Sequence, residues 1–313
     1  MPRRILVWHI HGSYLAALTR TEHDWFLPVR PDRTNGYGGR RPDLPAWVRE
    51  VPAEEVRELD LDLVLYQTPG NVFADGPAIL SDAQRRLPRI YLEHSVPDPP
   101  VTARHPFDDP SGLLVHVTHY NHLMWDNGRT PTAAVEHSVA VDPAITATGE
   151  LARGAVLCNE LERRGRAAGL DVFLRARERV PLDLMGIDSE ALGGLGDVPY
   201  PELHRRLAAY RFLFSPMRAS SLPLAVVEAM TIGLPVVALA TTELPTVIES
   251  GVSGYVSCDV DFLIDRMQAL VDDPALARRL GMYARAVAGR RFSLERFTRD
   301  WDAAIERAID LAS

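Results

Sequence analysis

A chain of 313 residues, 46% of them hydrophobic, is long enough for two α/β domains, each with its own core. Its formal net charge of −8 argues against a general nucleic-acid binder, and all 34 basic residues are arginine because the sequence holds no lysine. That excludes a Walker P-loop and Schiff-base chemistry, which need a lysine amine, and leaves any phosphate site to arginines and backbone N–H groups.

The N-terminus has the look of a signal peptide, with Pro2-Arg3-Arg4 ahead of an apolar run. The run breaks at His9, short of the ~7–15 residues an h-region needs, so residues 5–10 read as a first buried strand. No span approaches the ~20 apolar residues of a transmembrane helix. The expectation is a cytoplasmic protein, either free or peripheral at a membrane. Further strand-like runs follow at residues 63–66, 90–92, 113–117 and 134–139, and a second set at 155–158, 182–185, 211–214 and 235–239. Several lack apolar/polar alternation, as strands of a parallel sheet covered on both faces do. Residues 30–45 and 96–112, rich in Pro, Gly and Asp, read as long surface loops. Small and polar residues at 142–154 mark the boundary between domains 1–145 and 146–292.

Helical patterns lie between the second set of strands, at residues 202–210, 224–232, 261–271 and 275–288. A last helix, 293–311, opens at Ser293 and carries Phe297, Trp301 and Ile305 on one face. Cys158 and Cys258 stand alone, without metal-ligand or redox spacing, and read as two buried thiols. Asp60-Leu61-Asp62 precedes an apolar run instead of following one, which is the wrong context for a metal-binding Asp pair.

The most informative block runs from Ser220 to Gly254. After a strand come Ser220-Ser221-Leu222-Pro223, an apolar helix containing Glu228-Ala229-Met230, Gly233, the run Pro235–Ala238, and Gly251/Gly254. Ser221 can cap the helix and Gly233 can end it. A carboxylate in so apolar a helix needs a partner. Either Glu228 pairs with a neighbouring arginine, or it accepts from both hydroxyls of a ribose while the helix N-terminus takes a diphosphate.

This block resembles the donor-binding segment of retaining GT-B glycosyltransferases of the family-4 type. The resemblance is strong over residues 155–299 and faint before them. It implies an α/β GT-B architecture, with two Rossmann-like domains facing across a cleft and the last helix returning to the first domain. The implied reaction moves a sugar from a nucleoside-diphosphate sugar to an unknown acceptor, which would be a glycan, a lipid-linked molecule or a small molecule. It would retain configuration, with neither cofactor nor metal and with no nucleic-acid partner.

The resemblance places the donor nucleotide on Glu228 (ribose), on at least one of Arg163, Arg164 and Arg166 (diphosphate), on backbone at Gly196 and Val198 (base), and on Ser221 and Leu222 at the helix start. Gly12 and Ser13 of the first domain would approach the diphosphate. His94 would stand in the cleft and assist the acceptor or hold the sugar. There is one departure. The family has a glutamate eight residues before Glu228, where this chain has Ser220, so the contact to the donor sugar does not carry over as a carboxylate. Two other readings stay open: a nucleotide-sugar 2-epimerase of the same architecture, and a binding module that lost turnover with that glutamate.

Overall fold

The computed structural model describes residues 2–34 and 36–313. Its chain divides into two compact units, Met1–Ala140 with Leu294–Ser313, and Val141–Ser293.

The first unit holds a seven-stranded parallel sheet in the order β3-β2-β1-β4-β5-β6-β7. Its strands are β1 (Arg4–Val7), β2 (Asp24–Val29), β3 (Arg49–Pro52), β4 (Leu63–Tyr66), β5 (Arg89–Glu93), β6 (Leu113–His116) and β7 (Thr132–Ala134). Helices α1 (Gly12–Leu18), α2 (Gly76–Ile79) and α3 (His119–Met124) lie between strands, and a π-helical turn over Asn71–Asp75 leads into α2. One core layer packs Leu6, Trp8, Phe26, Val64, Tyr66 and Tyr91 on a single face of the sheet.

Four readings of this half need correction. The first strand stops at Val7 because the chain turns there, with His9 N–H donating to Gly36 O and Ile10 N–H to Trp8 O. The strand expected at 134–139 ends at Ala134. Strands β2 and β3 escaped notice because Asp24, Pro28, Arg49 and Pro52 break their apolar runs. The two Pro-rich stretches are not purely surface loops. Tyr37 is buried with its hydroxyl on Asp75 (2.8 Å) and the Arg30 guanidinium over its ring, and His105 and Phe107 are buried in the second loop.

The second unit has a five-stranded parallel sheet, β12-β11-β10-β8-β9. Its strands are β8 (Leu151–Leu157), β9 (Leu182–Met185), β10 (Tyr210–Ser215), β11 (Val236–Leu239) and β12 (Gly254–Ser257). The helices are α4 (Leu161–Ala168), α5 (Leu170–Arg177), α6 (Tyr200–Ala208), α7 (Leu224–Ile232), α8 (Leu244–Val247), α9 (Val260–Asp272) and α10 (Pro274–Arg291). Helix α11 (Leu294–Ala312) groups with the first unit, where Trp301 Nε1 donates to the Tyr14 hydroxyl at 3.2 Å. Helix α7 is apolar nearly all round, and it is correspondingly buried between sheet and α10. Both units are parallel α/β layers of the Rossmann-like type. Of the two cysteines only Cys158 is buried; Cys258 is exposed, because β11 and β12 end before it.

Candidate active site

In an open parallel sheet, a ligand crevice opens at the C-terminal ends of the strands where the strand order reverses, because the loops on either side lead away from each other. The first unit reverses between β1 and β4. The loops there are residues 8–11 and 67–70, with His94 leaving the adjacent β5. His94 is half-buried, and its Nε2 lies 3.0 Å from Gln67 Oε1. Its ring centroid stands 4.0 Å from that of His11 and 4.8 Å edge-on from that of Tyr14. Burial holds the His94 pKa well below its usual value, with His11 and His137 adding to the effect. His11 is lowered for the same first reason.

Gly12 is the first residue of α1, and the Arg41 guanidinium occupies the space a side chain at Gly12 would need. Arg41 donates through Nε to Asp43 Oδ1 at 2.8 Å. The bare backbone expected at Gly12 is therefore covered by a cationic side chain. Ser13 follows it half-buried. Asp60 and Asp62 both answer to Arg4, the first through its guanidinium (2.8 Å) and the second through its backbone N–H (2.7 Å).

Sequence reasoning missed a buried pair beside this crevice. His105 Nδ1 accepts from the Phe107 N–H (3.1 Å), so His105 Nε2 carries the proton and donates to Glu93 Oε2 at 3.0 Å. The available signal was the acidic residue at the end of an apolar strand.

The second unit reverses between β8 and β10, and three loops are stitched together at that edge. Asn159 Oδ1 accepts from Ile187 N–H (3.0 Å), Glu160 N–H donates to Ile187 O (2.7 Å), and the N–H groups of Arg218 and Ala219 both donate to Ala167 O. Gly186, at φ +139°, is required here, since a Cβ would strike the Cys158 carbonyl. The base-loop candidates are equally ordered. Gly196 N–H donates to Ser189 Oγ (2.9 Å) and Gly196 O accepts from Gly186 N–H (2.9 Å), while Val198 is buried.

The three candidate arginines separate. Arg163 is tied to Glu160 (Nε to Oε1, 2.8 Å), and Arg166 to Asp171 (2.9 Å), which also takes two bonds from Arg218. Arg164 has only a 3.7 Å contact to Cys158 Sγ and no carboxylate partner among the described residues. Gly165 between them breaks helical geometry (φ 52°, ψ −128°), which sends Arg164 and Arg166 in different directions.

Ser220 lies half-buried in the loop after β10. Ser221 does not cap α7, because Pro223 holds the N-cap position and supplies no side-chain bond; Ser221 O instead accepts from the Glu243 N–H. Leu222 is buried. Pro223 gives the N-terminus of α7 at Leu224 no side-chain cap of its own. Glu228 is 3% exposed. Its partners are not arginines: Tyr200 OH donates to Oε1 at 3.1 Å, and His204 Nε2 stands at 3.6 Å, too far for a hydrogen bond. At the end of β10, Ser215 Oγ is buried without a hydrogen-bond partner among the described residues.

The family model described as "Glycosyl transferases group 1" matches residues 169–273, all within the second unit. No match was found among curated protein sequences. Sucrose-phosphate synthase of Thermosynechococcus elongatus superposes with a TM-score of 0.71 at 14% identity, over 99% of this chain and 100% of that one. Anabaena HepE in complex with UDP superposes with a TM-score of 0.69 at 14% identity, over 97% of this chain and 100% of that one. A mutant of S. aureus TarM, in a complex that includes UDP, gives 0.60 at 15% identity over 78% of this chain, which spans only 55% of TarM. The fold is that of the GT-B glycosyltransferases. The segment matched by the group 1 model contains Glu228.

Proposed function

We propose that this protein transfers a glycosyl group from a nucleoside-diphosphate sugar to an acceptor hydroxyl, with retention and without an essential metal. The observation that carries the reading is Glu228. A carboxylate this buried, in an apolar helix and with one tyrosine hydroxyl as its hydrogen-bond donor, has spare acceptor capacity suited to a vicinal diol. In this reading diphosphate binds at the N-terminus of α7 with Arg164, and the base packs against the Gly196–Val198 turn. Arginine and helix dipole stabilise the leaving diphosphate in place of a cation. In this reading His94, neutral at physiological pH, assists the acceptor hydroxyl.

UDP is the first nucleotide to test, because HepE and TarM were solved with it. Calorimetric titration with UDP should give saturable binding. Glu228→Gln should weaken it by about 1–3 kcal/mol, the worth of a charge-assisted hydrogen bond, while 2′-deoxy-UDP should bind both proteins alike. Equal UDP affinity in the two proteins sinks the assignment. Product analysis with a UDP-sugar alone separates transfer or hydrolysis from epimerisation.

A further inference from the structure

We propose that the second unit carries a separate site for a small amphiphilic anion, at the N-terminal edge of its sheet. The cavity there measures about 280 Å³ and adjoins the starts of β10 and β11, at Tyr210 and Pro235. The donor residues proposed above lie at the opposite ends of the same strands, so the two sites share no side chain.

The cavity wall is apolar, built from Ile232, Leu234, Pro235, Pro274 and Ala277, with Met282 at the mouth. Met282 is 66% exposed there. Three arginines complete the lining, and no aspartate or glutamate does. Arg211 is spent on the carbonyls of Gly149 and Val271, and Arg285 donates to Pro143 O at 3.2 Å. Arg278 makes no hydrogen bond or salt bridge among the described residues, although the Asp273 carboxyl, held below its usual range first by the Leu276 N–H, is lowered further by the charges of Arg279 and Arg278. No salt bridge joins any of the three arginines to a carboxylate there. Elsewhere in this acidic chain arginines are commonly paired, including Arg175, Arg179 and Arg218 of the same unit.

Arg278, Met282 and Arg285 recur at i, i+4 and i+7, so they share one face of α10. Two cations thus flank an apolar mouth. The nearest acidic group in sequence, Asp273, is committed to the α10 N-cap through the N–H groups of Ala275 and Leu276.

This chemistry selects its ligand. A sugar or nucleoside would need acceptors for its hydroxyls, and the lining offers only Thr146 and a Tyr210 hydroxyl already donating to Asp183. A short alkyl chain with a carboxylate or phosphate head satisfies both halves, the chain against the apolar wall and the head on Arg278 and Arg285. The volume lies just below the range of drug-sized ligand pockets, roughly 300–1,000 Å³, which suits a small ligand. One wall is the segment 146–149, held by Ala147 N–H to Ile232 O (2.7 Å), so occupation should also rigidify the stretch by which the chain enters this unit.

The test uses the full chain with decanoate, decyl phosphate and decanol, all below micelle-forming concentrations. Calorimetry should give one saturable site for each anion and at least tenfold weaker binding of decanol. Arg278→Gln, an exposed change, combined with Arg285→Gln, which also gives up the bond to Pro143 O, should lose tenfold or more in affinity for the anions while the protein stays folded at the assay temperature. Hydrogen exchange at the Ala147 amide should slow on saturation with decanoate. Equal binding of decanol, absence of anion binding, or unchanged affinity in the double variant overturns the proposal. So does co-sedimentation with phosphatidylglycerol vesicles without binding of monomeric decanoate, which would assign the arginines to a bilayer surface. None of these readouts depends on glycosyl transfer.

Discussion

The amide of Gln67 fixes the tautomer of His94. Gln67 Nε2 donates to the Trp8 carbonyl at 2.7 Å, which turns Gln67 Oε1 toward His94 Nε2 at 3.0 Å. An oxygen acceptor there requires the proton on Nε2 and makes Nδ1 the basic nitrogen. The backbone of β1's loop thus orients, through one buried side chain, a histidine that leaves β5.

Gln67→Leu should therefore lower kcat roughly tenfold, the effect of one lost hydrogen bond of about 1–1.5 kcal/mol, with little change in the donor KM. Gln67→Glu restores an acceptor but adds a negative charge, which raises the His94 pKa. Its rate should fall as the pH is lowered from 8 to 6, where the parent stays flat because His94 remains neutral. A pH–rate profile of the three proteins checks this, and a flat profile for Gln67→Glu denies His94 a role.

Acid should destabilise the first unit through its buried histidines. Burial depresses His116 and His137 to about 3, whereas an unfolded imidazole titrates near ~6.5. Between those values the unfolded chain binds protons that the folded chain does not. Stability is thus complete above pH ~6.5 and falls as pH drops, by at most about 1.4 kcal/mol per pH unit for each histidine. Melting temperatures at pH 7.5 and 5.0 should show the loss, and His116→Gln should flatten the slope.

The second half of the chain was the more legible, for physical reasons. Strands β9 and β11 and helix α7 are short, apolar and bounded by Gly or Pro, so their limits can be read to within a residue. The Glu228 helix announced itself by placing a carboxylate in an apolar run. What could not be read was who satisfies whom. Tyr200 and His204 precede Glu228 by more than twenty positions, and only the packing of α6 on α7 brings them to it. Gln67 and His94 meet only because β4 and β5 are neighbours in the sheet. The three arginines looked equivalent until the kink at Gly165 and the carboxylates of Glu160 and Asp171 separated them. Ser221 looked like a cap, but Pro223 two residues later already fixed the backbone that a cap must adopt.

That separation makes a prediction about diphosphate affinity. Arg164→Ala should weaken UDP binding by about 1.5–3 kcal/mol, the range for a charge-assisted bond. Arg163→Ala should cost far less, since its guanidinium is already engaged by Glu160. Titration calorimetry with both variants decides it. A larger loss in Arg163→Ala than in Arg164→Ala would mean that the loop rearranges on binding.

Turnover should persist in excess chelator. Asp60 and Asp62 are occupied by Arg4, and the positive charge for the leaving diphosphate comes from arginine and the α7 N-terminus. Activity abolished by chelation and restored by Mg²⁺ or Mn²⁺ would overturn this and require a cation at the diphosphate.

The riskiest prediction concerns Ser220. It sits at the reversal point of the second sheet, half-buried in the loop after β10, eight residues before Glu228. A glutamate in that place would offer a donor sugar two anionic acceptor oxygens. Serine is shorter and neutral, and it can donate as well as accept. Space is freed beside the sugar and one negative charge is absent, so a bulkier or anionic donor, such as a uronic acid, is no longer repelled. If the serine tunes donor choice, Ser220→Glu should lower kcat/KM with the true donor by tenfold or more and shift preference toward neutral hexoses. A donor panel of UDP-hexoses and UDP-uronic acids run on both proteins measures this. Should the parent be silent with every donor while Ser220→Glu turns over an ordinary hexose donor, the serine would mark lost catalysis. The protein would then be a nucleotide-sugar binder in which Glu228 and Arg164 still hold the ligand.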